Sequence, residues 1–180
     1  MKIEVHVLKH PTPEDWILCR KCTLTTISKN SDTEPSMEWK EKLLKSRHSP
    51  IRTLQFCFKL IDIPYWVSVH LVRHVHATPF VSTQRNDRQD KYDRGEAPQN
   101  QPVTMCWYMN AEELMTIANK RLCNMASRET RNIVKEICKK VILLNPEFKD
   151  VLVPMCYYRG GRCDEFNCCG FNETYKGDSE

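Results

Sequence analysis

No stretch of the sequence stays apolar for anything near the roughly 18 residues that a membrane-crossing helix needs, so none is expected. An export signal is missing too. Met1-Lys2-Ile3-Glu4-Val5-His6-Val7 alternates like a strand and lacks the apolar core of a signal peptide. A reducing compartment, the cytoplasm, is therefore expected, where thiols stay free or bind metal rather than pair. The net charge of +4 is too small to argue for nucleic-acid binding, yet it suits small anionic ligands. No internal repeat is visible.

What is present describes one ordinary soluble domain. The chain has 180 residues, 41% hydrophobic and 28% charged, enough for a real core. Cysteine is the exception, with ten. Cys57, Cys106, Cys123 and Cys138 sit in apolar surroundings, where a thiol serves as a small hydrophobe. Cys19 and Cys22 lie three apart in a helical segment. A buried stripe of small residues explains them better than a zinc half-site, because no second pair of equal spacing follows.

Residues 1–9 read as a strand. Thr12-Pro13-Glu14-Asp15 starts a helix, with Thr12 as cap and the acids at the positive end of the dipole. Residues 29–35 read as a loop and 36–45 as a helix broken by Ser46-Arg47-His48-Ser49-Pro50. A strand is expected from about Arg52 to Ile61, with Leu54, Phe56 and Phe58 on one face and Pro64 ending it. Tyr65 to Arg73 reads as a short helix running into a loop. Residues 87–101 read as loop, and Val103 to Met109 as a strand. Asn110 caps the next helix, with Glu113 completing a capping box. A longer helix runs from about Ala126 to Leu144, its stripe made of Ile133, Val134, Ile137, Val141 and Ile142. Strand-like and helical segments alternate too irregularly for βαβ units. An α+β fold follows, an antiparallel sheet flanked by helices. The body spans 1–153, and a Cys/Gly-rich tail spans 154–180.

The chemistry concentrates in residues 73–85. Arg73, His74, His76, Thr78, Ser82, Thr83, Gln84 and Arg85 bring together guanidinium, imidazole and hydroxyl groups. Arginine forks match phosphate oxygens, and histidine donates, accepts or carries charge near neutral pH. Such a cluster suits a phosphorylated, planar ligand. An exposed loop with solvated arginines is the plainer alternative.

This segment resembles the signature of the flavin-dependent thymidylate synthases. Arg73, His74, Thr83 and Arg85 stand at its offsets, with Val75 in place of a second Arg and Thr83 in place of Ser. The flanks extend the likeness in the same order. Ser49-Pro50-Ile51 and Phe56-Cys57-Phe58 come first, then Pro64 with one extra residue before it. Trp107-Tyr108-Met109-Asn110-Ala111 and Asn119-Lys120-Arg121 with Ala126 and Glu129 follow. The likeness covers most of residues 15–150.

The resemblance implies transfer of a one-carbon unit from methylenetetrahydrofolate to C5 of dUMP, giving dTMP. FAD would be the cofactor, NADPH and the folate the co-substrates, and the assembly a homotetramer. Ser49, Arg73, His74, His76 and Asn110 would meet the flavin. His70, Thr83, Gln84, Arg85 and Arg121 would hold the nucleotide. Arg121 and Thr83 would act in catalysis, Arg121 by stabilising charge on the uracil carbonyls. Asn110 as a simple helix cap and Arg121 as an answer to a helix dipole are the plainer readings. Departures bear on the substrate: Val75 and Val81 stand where charged residues are usual, Thr104 where an Arg is, and Met125 and His70 replace other polar groups. A different pyrimidine nucleotide, or a catalytically silent flavin- or metal-binding homologue, is the alternative.

The tail falls outside this likeness. Cys156, Cys163, Cys168 and Cys169 surround Gly160, Gly161 and Gly170, which makes zinc or an iron–sulfur cluster a candidate. Adjacent Cys168 and Cys169 rarely both ligate one ion. Free redox-active thiols or a disulfide are the alternatives.

Overall fold

The structure is a computed structural model; it describes residues 3–82, 85, 87 and 93–175. Its centre is a four-stranded antiparallel sheet of order β1-β2-β4-β3, made of β1 (Glu4–Lys9), β2 (Gln55–Pro64), β3 (Thr78–Val81) and β4 (Pro102–Asn110). The expected α+β class is what is found.

Alternation decides which face is covered. Phe56, Phe58, Leu60 and Ile63 of β2 lie opposite Met109, Trp107, Met105 and Val103 of β4, and all eight are buried. The intervening Cys57, Lys59, Cys106 and Tyr108 are half-buried or exposed. Helices therefore pack on one face. They are α1 (Pro13–Thr25), α2 (Met37–Lys45), α3 (Tyr65–Leu71), α4 (Ala111–Arg121), α5 (Arg128–Leu144) and the short α6 (Met155–Tyr158). Ile133, Val134, Ile137 and Val141 form the buried stripe of α5. Phe148 stands edge-on to Phe56 with ring centroids 5.3 Å apart. Trp16 of α1 is fully buried and donates its indole N–H to Glu147 at 2.8 Å. Asn145 bridges that carboxylate to the Pro11 carbonyl, so the buried charge is hydrogen-bonded.

Local signals hold at the caps. Thr12 and Asp15 form the full capping box of α1, and Ser36 caps α2. Cys19 and Cys22 lie on α1; Cys19 is buried, and burial pushes its thiol up to about 11. Several boundaries move. Pro50 opens a 3-10 turn at Ser49–Thr53, so β2 begins at Gln55 rather than near Arg52, and Leu54 is not part of it. The stretch read as loop after Arg73 contains β3, which pairs with β4 from Thr78–Tyr108 to Val81–Met105. Helix α3 stops at Leu71, and α5 starts at Arg128 because Ser127 caps it. At Asn110 the capping box is half made: its side chain accepts the Glu113 N–H at 3.0 Å, but the Glu113 carboxylate turns elsewhere.

Two strand irregularities matter. Between Leu60 and Ile63 the β2 chain takes three steps while β4 takes two, from Met105 to Val103. The extra residue forms a bulge at Asp62, which has φ 58°. A second register shift lies in β1 between Val7 and Lys9.

Candidate active site

Past α3 the chain closes a tight turn in which His74 N–H donates to the Leu71 carbonyl and Ala77 N–H donates to the His74 carbonyl. The turn holds the His74 ring against Trp107, centroids 6.2 Å apart. From the other side, α4 presents Glu113 in its first turn and Arg121 at its last residue. These three side chains meet. Arg121 Nε donates to His74 Nε2 at 2.9 Å, and Arg121 Nη2 donates to the His70 carbonyl at 3.2 Å. His74 Nδ1 faces Glu113 Oε1 at 3.4 Å, and the His74 and Glu113 side chains are only 10% and 7% exposed.

The hydrogen bonds fix the protons. Because the guanidinium has no acceptor, His74 Nε2 must offer a lone pair to Arg121, which leaves the ring hydrogen on Nδ1, the nitrogen on the Glu113 side. Two of the five Arg121 N–H groups are thus taken by protein acceptors. Burial, and second the Arg73 guanidinium, hold Arg121 below the usual guanidinium range. Two neighbouring guanidinium groups favour an anion beside them.

A cleft of about 270 Å³ opens over this cluster, lined by His74, Lys120, Arg121, Cys123, Met125 and, from the tail, Glu165. A second cleft, about 430 Å³, is lined by Arg52, His76, Asn110, Glu112, Glu113 and Thr116, with Arg52 and Glu112 paired. The buried His74–Glu113 contact stands between the two. Another cleft, between β1 and α5, holds none of these groups.

The residues expected at the site divide accordingly. His74 and Arg121 come together, Arg73 lies beside them, and His76 and Asn110 share the second cleft. His70 contributes its carbonyl, while its ring stands on Trp66. Ser49 is exposed on the 3-10 turn and lines neither cleft. Arg85 is exposed and bound by both carboxylate oxygens of Asp87, at 2.8 and 2.6 Å, and does not line the clefts. Thr83 and Gln84 lie outside the described residues. Glu113, Lys120 and Glu165 were not anticipated. The signal for Glu113 was there, an acid at the third helical position, but a capping role accounted for it.

The tail thiols need correction. Among the described residues no three His, Cys, Asp or Glu side chains are placed to hold a metal ion. Cys168 Sγ donates to Asn172 Oδ1 at 3.0 Å and lies beside Cys163, and Cys169 lines a small pocket with Cys123, Cys156 and Cys163.

The donor set fits a phosphorylated, planar ligand such as FAD or a nucleotide. Arg73 and His76 are exposed, the Asn110 amide N–H₂ borders the second cleft, and the fully buried Trp107 indole N–H has no acceptor among the described residues.

Residues 92–147 match the family model described as thymidylate synthase complementing protein. That segment carries β4, Glu113 and Arg121. A UMP/dUMP methylase from Streptomyces cacaoi, solved with 5-Br dUMP, superposes with a TM-score of 0.62. It is 14% identical, over 84% of this chain and 97% of that one. The flavin-dependent thymidylate synthase of Helicobacter pylori, solved with FAD and dUMP, has a TM-score of 0.59 at 16% identity, covering 76% and 92%. The chain has the fold of the flavin-dependent thymidylate synthases. The family-model match covers residues 92–147, and the fold likeness extends over most of the chain. No curated protein sequence matches the chain. Among the described residues no helix is long and apolar enough to cross a membrane.

Proposed function

We propose that this chain transfers a one-carbon unit to C5 of a pyrimidine nucleotide, converting dUMP to dTMP, with FAD as cofactor. Methylenetetrahydrofolate provides the carbon and NADPH the reducing equivalents. A reduced flavin, when bound, supplies the hydride that takes the carbon to the methyl level, and the C5 hydrogen leaves as a proton. The observation that carries the reading is Arg121, held by His74 and the His70 carbonyl and facing a cleft with Arg73 close by.

In this reading Arg121 lies beside the uracil, where its remaining N–H groups meet charge developing on a ring carbonyl. Its geometry is set before the ligand arrives, so little reorganisation is needed. Arg73, His76 and Asn110 serve the flavin side; Thr83, Gln84 and Arg85 serve the nucleotide, Arg85 on its phosphate. Clefts of about 270 and 430 Å³ are small for FAD, a nucleotide and a folate together. A second copy of the chain supplies the missing walls, in a homo-oligomer that the family likeness makes a tetramer.

Val75, 81% exposed where the family signature has a second Arg, favours a second reading in which the acceptor is another pyrimidine nucleotide such as UMP. The test is isotope release from C5-labelled dUMP and UMP, with FAD, NADPH and methylenetetrahydrofolate. Release from one substrate names the acceptor. A yellow protein that releases label from neither is a flavin-binding homologue without synthase activity. A colourless protein that binds neither nucleotide rejects both readings.

A further inference from the structure

We propose that Glu113 is a positioning residue for the reaction, acting on Arg121 through His74. The proposal rests on the reading of the Arg121 cleft as the nucleotide site and adds a group that the family signature segment at 73–85 does not contain.

Glu113 has a local role open to it, to close the capping box on Asn110, and does not take it. Asn110 still accepts the Glu113 N–H, which anchors the first turn of α4. The Glu113 carboxylate turns inward, where it is 7% exposed, and meets His74 Nδ1 at 3.4 Å. Burying a carboxylate is costly unless a donor meets it. The nearest donor is the ring N–H of His74, at ion-pair distance, and a proton on Nδ1 leaves the lone pair on Nε2. That lone pair is what receives Arg121 Nε–H at 2.9 Å. The reverse tautomer would put two N–H groups face to face and push the guanidinium aside. A carboxylate selecting an imidazole tautomer, which in turn orients a third group, is a recurring device at metal and nucleophile sites. In this chain the third group is a guanidinium.

The arrangement also explains why Arg121 holds its place beside Arg73. Repulsion between the two guanidinium groups works against Arg121, and no carboxylate is hydrogen-bonded to it among the described residues. Its hold is the imidazole, the His70 carbonyl and, one step removed, the charge of Glu113.

The test uses the full chain with ¹⁵N-labelled histidine, read by long-range ¹⁵N–¹H correlation without ligand at mildly alkaline pH. Wild type is expected to show His74 as the single Nδ1–H tautomer. Glu113→Ala should turn it into a mixture and lower turnover about 10- to 100-fold. Should that variant unfold, Glu113→Gln keeps the size. Its carboxamide either accepts from Nδ1, preserving tautomer and turnover, or donates to it, losing both. Isotope release reads turnover; binding of 5-bromo-dUMP to the free protein replaces it if no turnover exists, so failure of the functional reading stays distinguishable. An Nε2–H tautomer in wild type, or a tautomer unmoved in Glu113→Ala, overturns the proposal. So does turnover or 5-bromo-dUMP binding that fails to follow the tautomer across the variants.

Discussion

Lys120 at the end of α4 and Glu165 in the tail meet at 3.3 Å across the mouth of the Arg121 cleft. The tail, which has no counterpart in the family likeness, thus supplies one wall of the candidate site. Both side chains are substantially exposed, at 55% and 39%, so the pair is weak. Glu165→Ala should release Lys120 toward an anionic ligand and tighten dUMP binding up to about fivefold, an effect that fades in high salt. Titration at two ionic strengths checks it. Weaker binding instead would mean that Glu165 itself contacts the nucleotide.

The two candidate phosphate ligands should separate by partner. Arg73→Ala is expected to weaken flavin binding roughly tenfold. Arg85→Ala should weaken nucleotide binding with little effect on flavin, and the loss should be the smaller because Arg85 must first give up Asp87. Fluorescence quenching of bound flavin and nucleotide calorimetry read the two separately. Equal, small effects on both ligands would mean that neither arginine contacts a ligand phosphate.

The thiols predict a reactivity order and a pH limit. Cys168 and Cys169 are exposed and should react first with a thiol reagent, whereas Cys19 and Cys138 are buried and should react only on unfolding. Burial pushes Cys19 up to about 11 and Cys138 up to about 12, from an ordinary value of 9.0. A raised folded value means that the folded state holds the thiol proton more tightly. The stability this gives is complete below pH 9.0 and is lost as pH rises through 11 to 12. Thermal unfolding followed from pH 8 upward should show the midpoint falling in that window, and Cys138→Ala should flatten the fall.

Phe148 is fully buried, edge-on to Phe56 and 6.3 Å from Trp16 by ring centroid. Phe148→Ala should cost about 3–5 kcal/mol, the usual penalty for a large cavity in an aromatic core. Urea unfolding would measure it. A cost under about 1 kcal/mol would mean that the core collapses into the gap.

Much of the fold was legible because its signals are local. Caps at Thr12 and Asn110 announce helices from a few residues, and alternation through Phe56 and Phe58 announces a strand with one covered face. Strand β3 was not legible. It has four residues, one of them Pro79, and exists because β4, far along the chain, pairs with it. The site divides in the same way. Arg73, His74 and Arg121 could be read from the family pattern. The role of Glu113 could not, because an acid at that helical position has a sufficient local explanation, and its partner His74 lies across a long loop. The metal reading of the tail rested on spacing, which does not show whether thiols meet at metal-ligand geometry, and among the described residues no such group is found.

The bulge at Asp62 separates chain length from aim. A strand repeats every two residues, so passing an extra residue along β2 would turn Ile63 out to solvent. Instead the extra residue is spent at a single left-handed position, after which Ile63 again faces the core and Pro64 meets Pro102. Helix α3 and the turn at His74 leave the sheet from an unchanged platform. A surplus residue upstream of His74 is thereby absorbed as a local kink, and where the imidazole points stays independent of it.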